Sequence, residues 1–180
     1  MLISRDKSCL LVVDVQARLA PAMDAEQAVV HNTALLLKAA RRLDVPVLVS
    51  EQYRRGLGPT VDAVAEFVPE GSVVEKMHFS CMNDADFAER FRRTGRPMAV
   101  VAGIEAHVCV LQTVEQLLDS GAVVFVVADA TSSRTPANHA AALERMRHAG
   151  AHVATTEMVV FEWLEKAGTP EFKELSALVK

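Results

Sequence analysis

The chain predicts an α/β protein: a doubly wound, six-stranded parallel sheet in the order 3-2-1-4-5-6, with helices on both faces. Three observations carry that reading. Short apolar runs alternate with segments of helical spacing along the 180 residues. Runs such as Ser8 to Val13 are near-continuously apolar, as strands covered on both faces are. Reactive side chains also gather just past the carboxyl ends of these runs, where open α/β sheets bind their ligands.

Taken in order, Ser8 to Val13 is the first strand. Asp24 to Leu43 reads as a helix: Asp24 with Gln27 three residues on resembles a capping box, and Val29, Leu36, Leu37, Ala40 and Leu43 recur at helical spacing. Pro46 to Ser50 is the second strand. Gly56, Gly58 and Pro59 make Gln52 to Pro59 a loop. A short helix from Val61 to Phe67 stops before Pro69 and Gly71, and Ser72 to Glu75 is a short third strand. Asp84 to Arg93 is a helix closed by Gly95. Met98 to Ala102 is the fourth strand, and Val108 to Ser120 is its helix, closed by Gly121. Val123 to Ala128 is the fifth strand. Thr135 as cap, with Pro136 at the first helical position, opens a helix to Gly150. Val153 to Thr155 is a weak sixth strand, and the tail from Glu171 to Val179 is helical. No repeat, low-complexity segment or linker interrupts the pattern, so residues 1–180 are read as one domain.

Composition narrows the function classes. A chain of this length buries roughly 70% of its unfolded surface and needs no disulfide or metal to fold. Apolar residues make up 51% and aromatic residues 5%, so the core is aliphatic. A net charge of −4 argues against a nucleic-acid surface. No segment reaches the ~18 consecutive apolar residues of a membrane span, and Met1 to Lys7 lacks the pattern of a signal peptide. Cys9, Cys81 and Cys109 are too scattered for a disulfide framework, which points to a reducing cytoplasm. The expected partner is a small molecule, with no nucleic acid and no membrane.

Cys109 carries the most information. It follows the apolar run Met98 to Ala102 within Gly103-Ile104-Glu105-Ala106-His107-Val108-Cys109-Val110 and precedes a helical segment. A thiol at a strand-to-helix turn has free N–H groups and the positive dipole end beside it, which favours the thiolate. Asp14 ends the first strand and Lys76 follows the third. An acid, a base and a thiol at three strand ends are the parts of a cysteine hydrolase. His107 stands two residues before Cys109, about 200° around a helix, so its side chain points away and a Cys–His dyad is disfavoured.

On these residues the chain resembles the isochorismatase-like cysteine hydrolases, which include nicotinamidases and N-carbamoylsarcosine amidohydrolases. The matching pieces are Val12-Val13-Asp14-Val15-Gln16, Glu75-Lys76, Gly103 to Val110, and Val127-Ala128-Asp129-Ala130, in the family's order. Glu51-Gln52-Tyr53, Gly56-Leu57-Gly58-Pro59-Thr60, Ser132-Ser133-Arg134 and Pro170-Glu171-Phe172-Lys173 are most similar to the branch of isochorismatase domain-containing proteins. The resemblance implies that Cys109 attacks a carbonyl carbon, that Asp14 takes the thiol proton and passes it to the leaving group, and that Lys76 holds Asp14 ionised. It also implies a cis peptide at Ile104–Glu105 and an oxyanion hole from the backbone N–H groups of Glu105 and Cys109, worth on the order of 3 kcal/mol each. A homo-oligomer is implied as well, and Val159, Val160, Phe161, Trp163 and Leu164 are either its interface or core.

Two departures shape the substrate expectation. Nicotinamidases carry an Asp-x-His metal motif after the second strand, whereas this chain reads Ser50-Glu51-Gln52-Tyr53-Arg54-Arg55 without a His. Glu51 alone is a poor site, so no metal or other cofactor is expected. Isochorismatase proper cleaves a vinyl ether and lacks the cysteine, so an amide-type C–N bond cleaved through a thioester fits better here. Gln16, Gln52, Tyr53 and Phe79 are the candidate substrate-binding residues. Cys81 is a core or pocket-lining residue, Asp129 has a structural hydrogen-bonding role, and Arg134 is either a cap or a partner for an anionic group. The rival reading is a small-molecule-binding or interaction module that keeps the triad without turnover. Redox chemistry at Cys109 is disfavoured, because no second cysteine stands at CxxC spacing.

Overall fold

A computed structural model describes residues 1–179. Its centre is Ser8–Val13 (β1), six residues with every side chain buried. Val47–Gln52 (β2), Val73–Lys76 (β3), Met98–Gly103 (β4), Val123–Thr131 (β5) and His152–Ala154 (β6) complete a sheet in the order β3-β2-β1-β4-β5-β6. Every pairing is parallel. The predicted fold class and strand order are those observed.

Helices lie on both faces. They are Glu26–Arg42 (α1), Arg54–Leu57 (α2), Asp62–Ala65 (α3), Ala85–Arg93 (α4), Leu111–Asp119 (α5), Pro136–His148 (α6), Thr156–Leu164 (α7) and Pro170–Leu175 (α8). Successive residues of a strand face opposite sides, and β1 divides the core accordingly. Leu10 and Val12 join Leu36 and Ala40 of α1 and Val159, Val160 and Trp163 of α7. Cys9, Leu11 and Val13 join Phe87 and Phe91 of α4, Val114 and Leu117 of α5, and Met146 of α6. None of the helices among the described residues is long and apolar enough to cross a membrane.

The structure corrects several expectations. Asp24 does not cap α1, which begins after Ala25 with no side-chain cap. Instead the Asp24 N–H donates to the Ser133 carbonyl at 3.0 Å and the Ala25 N–H to Ser132 Oγ at 3.2 Å, so a distant loop supplies the acceptors. The stretch after β2 holds the short turn α2, and β5 runs past Ala128 to Thr131. The sixth strand ends at Ala154, because Thr155 leaves it to cap α7 by accepting from the Met158 N–H at 3.3 Å. That helix takes up the apolar stretch considered as an interface: Val159, Val160, Trp163 and Leu164 are buried within this chain, and only Phe161 is exposed. Trp163 reaches the far end of β1, where Nε1 donates to Ser8 Oγ at 3.3 Å. The tail helix is shorter than expected, ending at Leu175. Asp129 takes its structural role, accepting from the Thr156 N–H at 2.7 Å and its hydroxyl at 2.9 Å.

Parallel register brings the chemistry to one edge. Val13 is level with Ser50 on one side and Gly103 on the other, and Gln52 is level with Lys76. Strand ends at the same height place Asp14, the Ser50–Gln52 segment, Lys76 and the turn after Gly103 side by side. Gly103 permits the close approach: at φ +119, a Cβ there would collide with the backbone of Val13. Gly103→Ala is therefore expected to lower unfolding free energy by at least about 2 kcal/mol, read from urea denaturation. A native midpoint would show that β1 and β4 have slack at this point.

Candidate active site

Asp14 is the first residue after β1, and its backbone turns at φ +52, in the left-handed region that Asp tolerates better than most residues. Its N–H donates to the Ser50 carbonyl at 3.1 Å, and its carbonyl accepts from the Gln16 N–H at 2.8 Å. The carboxylate is wholly buried. Oδ1 accepts from the Ser50 hydroxyl at 2.7 Å and Oδ2 from the Lys76 ammonium at 2.7 Å.

Lys76 ends β3, with β2 lying between it and Asp14. Two strand spacings, roughly 9.5 Å, separate β3 from β1, and a long flexible stem is needed to cross them. Besides Asp14, Nζ meets Gln52 Oε1 at 2.8 Å and the carbonyls of Phe79 at 2.9 Å and His78 at 3.2 Å. An ammonium has three protons, so its donor capacity is filled. Burial by itself would favour loss of the proton. The Asp14 carboxylate, by its charge and its hydrogen bond, leads the opposing effects that hold the lysine above its ordinary range.

Cys109 sits in a π-helical turn, Ala106–Val110, that leads into α5. Such turns recur at functional sites. The thiol is 5% exposed and lies within electrostatic reach of Asp14, Lys76 and Cys81. Its ionisation runs opposite to the sequence expectation. Burial first, then the charge of Asp14, pushes the thiol well up, and Lys76 only partly offsets them. At rest Cys109 is a neutral thiol beside a carboxylate. The Ile104–Glu105 peptide is cis. The Glu105 carbonyl accepts from the N–H groups of Val108 and Val110, and the Ala106 N–H donates to Ser132 at 2.7 Å. Among the described residues, the Glu105 and Cys109 N–H groups donate to nothing outside this turn.

Asp14, Lys76 and Cys109 thus come together, with Glu105 beside them. Two candidate substrate contacts do not fit that role. The Gln16 amide is buried and saturated: Nε2 donates to the carbonyls of Gln52 at 3.0 Å and Gly58 at 2.7 Å, and Oε1 accepts from the Gln52 N–H at 2.7 Å. Gln52 is spent on Lys76 and on the Met77 carbonyl, 2.8 Å from its Nε2. Both amides are braces, because closing loops around a buried ammonium consumes every nearby acceptor. Tyr53 and Phe79 are exposed on the loops after β2 and β3, and Gly56 leaves room for the Tyr53 ring, which a Cβ there would strike.

Glu51 is buried and occupied. Oε1 accepts from the Thr60 N–H at 2.7 Å and its hydroxyl at 2.8 Å, and Arg54 Nη1 lies 2.9 Å from Oε2. Among the described residues, no cluster of three or more His, Cys, Asp or Glu side chains is placed to hold a metal. His107 Nδ1 is 2.9 Å from Ser133 Oγ and forms no dyad with Cys109. Arg134 clamps Glu105 with two bonds, 2.7 and 3.1 Å, which accounts for its charge within the chain. Sequence reasoning missed Ser50 and Thr113, whose hydroxyls touch the base and the nucleophile's turn. A Ser at the end of a buried strand, where apolar residues are the rule, was the available signal for Ser50.

The isochorismatase domain model matches residues 8–158. A secreted isochorismatase effector of Phytophthora sojae is 41% identical over 179 residues, covering 96% of this chain and 84% of its own. Isochorismatase domain-containing protein 2 of Homo sapiens is 39% identical over 174 residues, covering 96% and 83%. Among solved structures, the MAR1 ribonuclease of Caenorhabditis elegans superposes with a TM-score of 0.93 at 34% identity, covering 99% of this chain and 92% of that one.

Two measurements probe the buried charges and thiols. Truncating Lys76 to Met leaves Asp14 as an unpaired buried charge, and about 3–5 kcal/mol of stability is expected to be lost. Equal stability of Lys76→Met and native protein in urea would show that the pair is not desolvated. The three thiols set an alkaline limit. Burial raises Cys9 to about 12 and Cys81 to about 11 from 9.0, and Cys109 rises too. Above pH 9 the unfolded chain sheds thiol protons that the folded chain keeps, so stability is full below pH 9 and falls as pH rises. The slope approaches about 1.4 kcal/mol per pH unit for each thiol. A pH-independent unfolding free energy from pH 8 to 10.5 would contradict this.

Proposed function

From the premise that the chain belongs to the isochorismatase family of hydrolases, we propose that it hydrolyses a small molecule at an amide-type C–N bond through a thioester on Cys109. The observation that carries the reading is the Asp14 carboxylate, held by Lys76 and Ser50 through two 2.7 Å bonds within hydrogen-bonding reach of the buried Cys109 thiol. A thiol that is not ionised at rest needs a base in contact, and a carboxylate fixed by a permanent positive charge is one. The near-complete burial of all three groups and the net charge of −4 favour a small molecule over a polyanion. This is why the ribonuclease name of the nematode relative is not carried over.

In the proposed reaction, Asp14 takes the Sγ proton as sulfur attacks the carbonyl carbon. The oxygen gains negative charge within reach of the Glu105 and Cys109 N–H groups. Collapse of the tetrahedral adduct breaks the C–N bond, and Asp14 returns the proton to the departing nitrogen, leaving a thioester. Water then adds to the thioester carbonyl while Asp14 takes its proton. The second adduct expels sulfur, which recovers the proton from Asp14, and the acid leaves. Lys76 stays protonated throughout, since its charge stabilises Asp14 whenever that group is deprotonated. Tyr53 and Phe79, exposed on adjacent loops, are the candidates to meet the substrate.

The test is a screen of small amides and short RNA oligomers with intact-mass detection of an acyl adduct. Cys109→Ala is expected to abolish turnover of any hit while retaining the fold, at a cost of ~1 kcal/mol. Asp14→Asn is expected to lower turnover at least a thousandfold, and the double variant no further, because base and nucleophile act as one unit. Turnover in Cys109→Ala would sink the thioester mechanism, and ligand binding with no turnover in native protein would favour a binding module.

A further inference from the structure

We propose that Ser50, Cys81 and Thr113 form a buried hydrogen-bonded chain that locks the base to the nucleophile from behind, making Ser50 and Thr113 positioning residues of the reaction. The inference rests on the reading of Asp14 as base and Cys109 as nucleophile.

The chain has four links, each between groups distant in sequence or on different turns. Ser50 Oγ donates to Asp14 Oδ1 at 2.7 Å. The Cys81 thiol donates to Ser50 Oγ at 3.4 Å. The Cys81 N–H donates to Thr113 Oγ1 at 3.0 Å, and Thr113 Oγ1 donates to the Cys109 carbonyl at 2.7 Å. Ser50, Cys81 and Thr113 are buried, with relative exposures of 0%. Each hydroxyl gives one proton and accepts another, so the direction of the chain is settled by its chemistry. Because Ser50 takes the Cys81 thiol on a lone pair, its single proton is left for Asp14. Oδ1 is held by Ser50 and Oδ2 by Lys76, which fixes the rotation of the carboxylate. Thr113, one helical turn after Cys109, ties the nucleophile's carbonyl to the loop that also wraps Lys76 through the Phe79 carbonyl. This assigns a purpose to Cys81, a buried thiol that the reaction does not consume. Burial and Asp14 raise its pKa to about 11, so it stays a protonated donor at neutral pH.

The experiment is a pseudo-first-order rate of Cys109 alkylation by iodoacetamide, followed by peptide mass mapping from pH 5 to 8, with circular dichroism to check folding. Ser50→Ala is expected to slow alkylation at pH 7 about tenfold. Ser50→Thr, which keeps the hydroxyl, restores the rate. Thr113→Val slows alkylation severalfold, because it acts on the thiol's placement. If Ser50→Ala does not fold, Thr113→Val and Ser50→Thr decide. Native-rate alkylation in Asp14→Asn overturns the reading of the base, and the chain with it. Faster alkylation in Asp14→Asn, expected because the charge that pushes the thiol up is gone, with native rates in Ser50→Ala and Thr113→Val overturns the chain alone.

Discussion

Everything at the carboxyl edge of this sheet is arranged around one buried ion pair, Lys76 with Asp14. Neither side chain meets solvent. Such a pair returns its desolvation cost only if every remaining donor and acceptor is also matched. The surrounding structure does this. Gln52 and two loop carbonyls complete the ammonium, Ser50 completes the carboxylate, and the Gln16 side-chain amide braces Gln52 at both its backbone N–H and its carbonyl. The loops after β2 and β3 therefore follow paths set by where a lysine needs acceptors. The left-handed turn at Asp14 has the same origin, because it brings a short carboxylate back toward a residue two strands away.

The pair also decides how the thiol behaves. A cysteine entering a helix has the dipole on its side, an effect worth up to ~2 kcal/mol at best. Here burial and an adjacent carboxylate act against it, and they win. The same carboxylate that disfavours a resting thiolate is the group placed to receive its proton. In the proposed thioester reaction, reactivity is thereby confined to the moment when a carbonyl carbon is in position. A permanently ionised thiolate would be open to any electrophile or oxidant.

The fold was largely legible in the sequence, because near-continuous apolar runs punctuated by Gly and Pro speak for buried parallel strands with little local ambiguity. The convergence of Asp14, Lys76 and Cys109 was legible for a related reason: such sheets gather reactive side chains past the strands' carboxyl ends, and all three stand there. What could not be read was which polar side chains the fold itself would consume. Gln16 and Gln52 stand where a substrate contact is plausible, but their partners lie at Gly58 and Met77, and only tertiary structure joins them. Helix α7 escaped because its apolar residues are not confined to one stripe. Asp24 and Gln27 match a capping box, yet acceptors from Ser132 and Ser133 displaced it, a tertiary contact overriding a local signal.

Counting unspent hydrogen-bond capacity carries the argument from geometry to reaction class. Behind the thiol, Lys76, Ser50 and the amides of Gln16 and Gln52 have their protons engaged, and Thr113 and Cys81 engage each other. On the other side lie the Cys109 thiol against the Asp14 carboxylate and the Glu105 and Cys109 N–H groups, which among the described residues donate to nothing outside their own turn. Two donors and a nucleophile call for an electrophilic carbon bearing one strongly accepting oxygen. A lone pair able to carry one proton calls for a leaving group that needs one. The amide of the proposed reaction meets both demands. A phosphodiester would bring a further anionic charge to a site that already holds a buried carboxylate, with Lys76 committed to Asp14 and Arg134 to Glu105.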